Sequence, residues 1–276
     1  MNENDVRRYI SGLHDLSTLP MLLGKIVRTC NDPRATPAEV YNLIAIDPAL
    51  AERVLRIANS VFLGRSGQIM NIYQAIMFLG FERIKSLALG MTVLGAFPAR
   101  GSSTAENLWI HSYEVAFLSS VLSEYVPMTL PSECFLAGLL HDMGRIVFYG
   151  MDQKRFVQIE TGDSMFEQER EAFGCTHTVA GAWLVEALGM PNELIAPIKY
   201  HHRPSFANTA HKQVGIVALA EAMTQLLKTR VEDDGLWTTE IDDVLQELSI
   251  AEEEVNAAGE KLKAARPEIE GIFSSP

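Results

Sequence analysis

Cysteine is scarce in this chain: Cys30, Cys134 and Cys175 are the only three in 276 residues, and no two have C-x-x-C spacing. That argues against a disulfide framework and a thiolate zinc site, and it suits a reducing compartment. Long apolar runs are lacking too. The longest, Leu87 to Phe97, is interrupted by Gly90, Thr92 and Gly95 and falls far short of the ~20 residues a membrane helix needs, so it reads as a buried helix. The opening MNENDVRRYI has no basic flank followed by an apolar core; no export signal is expected, and the expected location is cytoplasmic. Positive charge is in deficit as well. Lys and Arg number 23 against 35 Asp and Glu, a net −12. From Val231 onward 13 acidic residues face Lys261, Lys263 and Arg266, so this last segment carries −10 of the total. Neither part has the basic footprint of a nucleic-acid polymer binder, which leaves a small nucleotide or another small ligand open.

Strand-type alternation is also missing, as are internal repeats and low-complexity tracts. Helix signals recur instead. Thr36-Pro37-Ala38-Glu39 joins an N-cap, a proline at the first helical position and a capping-box glutamate, opening a helix through Ile44. Asp47-Pro48 opens the next, with Leu50, Val54, Ile57 and Ala58 on one face and a stop expected at Asn59-Ser60. Ile72 to Leu79 reads as a short helix ending at Gly80, and Leu108, Val115, Leu118 and Leu122 mark a long helix to about Tyr125. Two further helices are expected, about Thr178 to Leu188 and Val214 to Lys228, separated by a Gly189-Met190-Pro191 stop and a third segment, Asn192 to His201. After Gly235, Ile241, Val244, Leu245 and Leu248 form another amphipathic face, and Ser249 with Glu252 offers a capping box. Phe62, Met70, Ile72 and Tyr73 are read as core.

With 47% hydrophobic residues, a chain of this size buries roughly three quarters of its unfolded surface and needs no staple. The loop-forming stretch Pro98 to Thr104 suggests a division into residues 1–100, a histidine-bearing part 105–230, and an acidic helical extension 236–276, all within an all-α architecture, with the alternative that the three form one compact unit.

Five of the seven histidines fall where an apolar pattern turns inward. His111 sits in the Leu108/Val115/Leu118 stripe, His141 ends the run AGLLH, His177 precedes a helix, and His201-His202 close another apolar segment. Asp142 and Glu221 accompany them. For any single histidine an ordinary partly buried or capping role is favoured. As a set, imidazole nitrogen with carboxylate oxygen suits divalent iron, manganese, zinc or nickel. Carboxylates among apolar neighbours also need a cation or donors.

These residues lie in a pattern that resembles the HDOD family, a branch of the HD-domain superfamily of metal-dependent phosphohydrolases. In the first half it comprises Leu19-Pro20, Asp47-Pro48-Ala49-Leu50, RVLRIANS from Arg53 and AIMFLG from Ala75. In the second it comprises LWIHS from Leu108, GLLHDMGR from Gly138, His177 and YHHRP from Tyr200. The resemblance spans about residues 13 to 226. It implies an all-α helical bundle of the HD-domain type, with an N-terminal helical subdomain and, here, a C-terminal helical extension.

It further implies that His111, His141, Asp142, His177, His201, His202 and Glu221 hold one or two divalent transition-metal ions. Glu221 stands where the superfamily has an aspartate. Asp142 would be ligand and proton acceptor for an activated water, with Arg145 or Lys199 attracting a phosphate. Arg145 replaces a lysine common in related enzymes and cannot act as an acid near neutral pH. Asn107 stands where relatives with additional metal have glutamate, and the Gly-Tyr-Pro of cyclic-dinucleotide phosphodiesterases is missing after Arg203. The implied function is a bacterial signal-transduction or regulatory protein, acting through protein partners or a small phosphorylated ligand. The alternative is a metal-dependent phosphohydrolase acting on a nucleotide or another phosphoester.

Overall fold

Capping chemistry sets where the first helices begin. Asn2 accepts from the backbone of Asn4 and Asp5 while Asp5 reaches back to Asn2, opening α1 (Glu3–Gly12). Thr36 and Glu39 form the same reciprocal box at α3 (Pro37–Ile46), after α2 (Leu19–Asn31). The computed structural model describes residues 1–13, 19–62, 69–95, 103–159, 164–226 and 240–273. Among these every regular element is helical and no strand occurs; the protein is all-α. Lys228, Gly235 and most of the Pro98–Thr104 break lie outside the described residues, as does the Phe62 side chain.

The next helix, α4 (Pro48–Phe62), runs past the expected stop at Asn59-Ser60. The physical reason is that the Asn59 side chain works sideways. Its amide donates to Leu55 O and Ile69 O and its oxygen accepts from Ile69 N, so it clasps the returning chain rather than breaking the helix. The short α5 (Ile72–Leu79) then leads through Gly80 into α6 (Phe81–Gly95). Ile72 is buried as expected, but Met70 and Tyr73 are 69% and 65% exposed, contrary to their reading as core. The inner face of α5 is filled by Ile72, Ala75, Ile76 and Leu79, which leaves the opposite face, with Met77 and Phe78, outward.

At the centre lies α7 (Ser103–Ser123), buried almost all round from Leu108 to Ser123, as a helix surrounded by others must be. It is flanked by α8 (Pro131–Leu140), by α14 (His211–Leu226) and by the final helix α16 (Glu252–Phe273). Between α8 and α14 come α9 (Met143–Met151), α10 (Gln153–Phe156), α11 (Met165–Phe173), α12 (His177–Ala187) and α13 (Ile195–Tyr200). In α15 (Glu240–Leu248), Ile241, Val244 and Leu248 are buried, and a Cβ built at Gly215 of α14 would lie 3.3–3.5 Å from Val244 and Leu248. Ser249 is not the cap of α16: it has φ 55°, and Glu254 instead reaches back to the Ala251 N–H. In α16 the buried stripe is Ala258, Leu262, Ala265 and Ile269, while Arg266 meets the fully buried Glu114 of α7 at 3.4 Å. One continuous apolar core runs from Val6 to Ile269.

Candidate metal centre

Two glycines in GLLHDMGR set the helix crossings around its His-Asp pair. A Cβ on Gly138 would lie 2.8 Å from Ser119 Oγ and 2.9 Å from the Ala116 backbone, so glycine lets α8 settle onto α7, which carries His111. A Cβ on Gly144 would overlap the His177 carbonyl, so glycine lets the start of α9 meet the start of α12. His141 lies at the C-terminus of α8 and Asp142 at the N-cap of α9. Aspartate is a favoured N-cap, yet the Asp142 side chain makes no cap bond; both its oxygens are turned into the cluster.

The carboxylate of Asp142 faces two groups of histidines. Its Oδ1 lies 3.3 Å from His177 Nε2 and 3.6 Å from His201 Nε2. Its Oδ2 lies 3.7 Å from His141 Nε2 and 3.9 Å from His111 Nε2. From α14, Glu221 Oε2 sits 2.9 Å from His111 Nε2 and 3.1 Å from His141 Nε2. His202 Nε2 is 3.1 Å from His177 Nε2. Two sets of candidate donor atoms result, each gathered within 4.8 Å: Asp142, His177, His201 and His202, and His111, His141 and Glu221. Arg145 Nη1 stands 3.6 Å from Asp142 Oδ2, with its guanidinium 5.7 Å from the Phe156 ring. Lys199 is exposed, its ammonium over the Tyr200 ring, so the structure does not bring it to the cluster.

Hydrogen bonds on the far side of three rings fix what faces inward. His141 Nδ1 is 2.6 Å from Gly138 O, His201 Nδ1 is 2.9 Å from Ile198 O, and His177 Nδ1 is 2.9 Å from Glu169 Oε1. Each of these acceptors calls for a proton on Nδ1, which in a neutral ring leaves the Nε2 lone pair pointing into the cluster. Nε2 of His141, Nε2 of His201 and both Asp142 oxygens are buried without a well-aligned hydrogen bond among the described residues.

The residues fit a divalent cation. Two donors each about 2.1 Å from one ion stand at most about 4.2 Å apart, and the carboxylate-to-imidazole separations of 2.9–3.9 Å fall inside that limit. Without an ion, protons carry part of the compensation. Burial opposes charge on His141, but the Asp142 and Glu221 carboxylates outweigh it and raise its pKa; burial likewise opposes charge on His177, and Glu169 and Asp142 outweigh it. Burial, joined by its imidazole neighbours, lowers His201 and pushes His202 well below the usual range. Burial alone would raise the Asp142 carboxyl, yet His141, His177, His201 and Arg145 hold it well below its ordinary value. A cation entering such a set displaces protons from the histidines.

Glu169 lacks the sequence pattern that marks the other seven residues. It lies eight residues before His177 and follows no ligand spacing. The available signal was its position between Met165 and Phe173 on the buried stripe of α11, where a carboxylate has to find donors.

The fold and cluster define an all-α, HD-like helical protein with a buried histidine and carboxylate centre. The chain belongs to the HDOD-domain family, whose model matches residues 16–204; Glu221 lies beyond that span. An uncharacterised protein of Treponema pallidum is 22% identical over 222 residues, covering 78% of this chain and 43% of that protein, so the chain spans under half of that relative's length. A solved structure from Shewanella amazonensis SB2B, provisionally named a phosphohydrolase, is 23% identical with a TM-score of 0.75, covering 96% of this chain and 98% of that one. A provisionally named signal transduction protein from Marinobacter aquaeolei VT8 is 24% identical with a TM-score of 0.74, covering 95% of this chain and 60% of that one. At these identities the likeness is one of fold. No described helix is long and apolar enough to cross a membrane.

Proposed function

We propose that the protein is an HDOD-type regulatory module of signal transduction, in which His111, His141, Asp142, His177, His201, His202 and Glu221 hold one or two divalent transition-metal ions without turnover. Its output passes to protein partners or responds to a small phosphorylated ligand. The observation that carries this reading is the closure of the centre. His141 and His177 are 0% exposed, Asp142 and His201 2%, Glu221 4% and His111 6%; of the seven, His202 alone is partly open. Arg145, 3% exposed, is turned onto Asp142, so the group otherwise suited to attract a phosphate already serves a buried carboxylate. A bound metal would supply Lewis acidity and fixed positive charge there. With only His202 partly open, a bound ion would serve these side chains by holding α7, α8, α9, α12, α13 and α14 in one arrangement. The fold neighbours named for signal transduction and for phosphohydrolase activity support a family-level regulatory or HD-like role.

The hydrolase reading draws on the placement of Asp142 between both histidine groups, a position suited to two ions. The two readings separate in one assay. Metal-loaded protein is incubated with cyclic and linear nucleotides and generic phosphoesters. No turnover is expected; turnover lost in both His141→Ala and Asp142→Asn would establish the hydrolase instead.

A further inference from the structure

Glu169 is 1% exposed, and a carboxylate at that depth is costly unless donors surround it. Its donors come from one residue on another helix. The His177 backbone N–H donates to Glu169 Oε2 at 2.9 Å, and His177 Nδ1 lies 2.9 Å from Oε1 and 3.0 Å from Oε2. The first bond does what the N-cap of α12 does not: the Thr176 side chain makes no cap bond, and its hydroxyl is paired with Thr178 Oγ1 at 2.8 Å. Glu169 therefore caps α12 from α11. The second bond fixes the ring plane and places the proton on Nδ1.

This arrangement differs from the other inward-facing rings. His141 and His201 lean on carbonyls three residues back in their own helices, so each helix orients its own histidine. His177 is the first residue of its helix and has no preceding turn to lean on. The partner it does have is a carboxylate, which strengthens an imidazole donor more than a neutral carbonyl does. One turn before Glu169, Phe166 stacks on the His177 ring at 5.6 Å and 27°. Helix α11 thus holds His177 by edge and face, with Nε2 3.3 Å from Asp142 Oδ1 and 3.1 Å from His202 Nε2.

We infer that Glu169 is a positioning residue of the metal centre: its carboxylate fixes the orientation and tautomer of His177 and strengthens it as a donor, while lying outside the donor set itself. The inference rests on the reading that the cluster binds a divalent metal ion.

The test is anaerobic titration of metal-free full-length protein with Co²⁺ against a chromophoric chelator, recording the cobalt absorption bands. Wild type, Glu169→Gln, His177→Ala and the double variant are compared. Glu169→Gln should keep the helical circular dichroism of wild type, bind Co²⁺ about 10- to 100-fold more weakly and shift the cobalt bands. In the His177→Ala background it should cause no further loss. Wild-type affinity and spectrum in Glu169→Gln, or losses that add in the double variant, would overturn the assignment. If Glu169→Gln cannot be purified folded, Glu169→Asp keeps the charge but falls one methylene short; a smaller loss is expected, and unchanged affinity and spectrum would overturn the assignment equally. A wild-type protein that takes up no Co²⁺ overturns the metal reading and this inference with it. Uptake by wild type with an unaffected Glu169 variant overturns this inference alone.

Discussion

Nε2 of His177 lies 3.3 Å from Oδ1 of Asp142, across the point where the first turns of α9 and α12 meet. That meeting depends on Gly144, which leaves the His177 carbonyl room. Gly144→Ala must push the two helices apart, and overpacking of this kind costs about 1–3 kcal/mol. A lower Tm together with weakened metal uptake is expected by thermal melts and chelator competition. Gly271→Ala is the control: a Cβ there meets nothing within 4 Å, and in a helix it should be neutral or stabilising by about 0.5–1 kcal/mol. Equal behaviour of the two variants would contradict the tight crossing.

The acidic extension belongs to the core. Ile241, Val244, Leu248, Leu262 and Ile269 are each at most 4% exposed, and burying such side chains stabilises by about 1.5–3 kcal/mol apiece. Truncation after Arg230 also leaves the fully buried Glu114 without Arg266. The truncated chain is expected to melt at least 10 °C lower, roughly what a few kcal/mol produces, or to aggregate on expression. An unchanged Tm would refute this packing.

The three thiols are buried, and burial pushes Cys30, Cys134 and Cys175 up from the usual 9.0 to about 12. Folded protein at pH 8 should react with a thiol reagent only as fast as it opens, and take three labels once denatured. The sign of the linked stability follows. The folded state keeps its thiol protons to higher pH than the unfolded state, so this contribution is full below 9 and is lost as pH rises toward 12. Rapid labelling of native protein at pH 8 would show that a thiol is accessible.

The outward face of α5 gives a further prediction. Phe78 is 75% exposed, so Phe78→Ser should change stability by no more than about 0.5 kcal/mol, whereas Ile76→Ser on the inner face should cost several times that in urea titrations. A large loss at Phe78 would mean that its side chain is packed in solution.

The all-α fold and the histidine and acid residues were legible because both rest on local pattern. His111 and Glu221 occupy inward positions of apolar helices, and His141-Asp142 ends an apolar run where a loop would carry other chemistry. What escaped depended on contacts between distant elements. Glu169 looks like one more acid in an acidic helix until His177 is brought to it. Asn59 has the composition of a stop but spends its side chain on Ile69. Met70 and Tyr73 are apolar in sequence, and only the packing of α3, α4 and α6 around α5 decides which side they take. Lys199 lies beside the His201-His202 pair in sequence, yet its helix turns it to solvent.

The most direct test is the metal content of protein purified anaerobically, measured by elemental analysis beside His141→Ala prepared in the same way. One or two equivalents of a divalent transition metal in the wild type, and a clear loss in His141→Ala, are the predicted result. A wild-type protein that carries no stoichiometric metal, even after anaerobic reconstitution, would contradict the account.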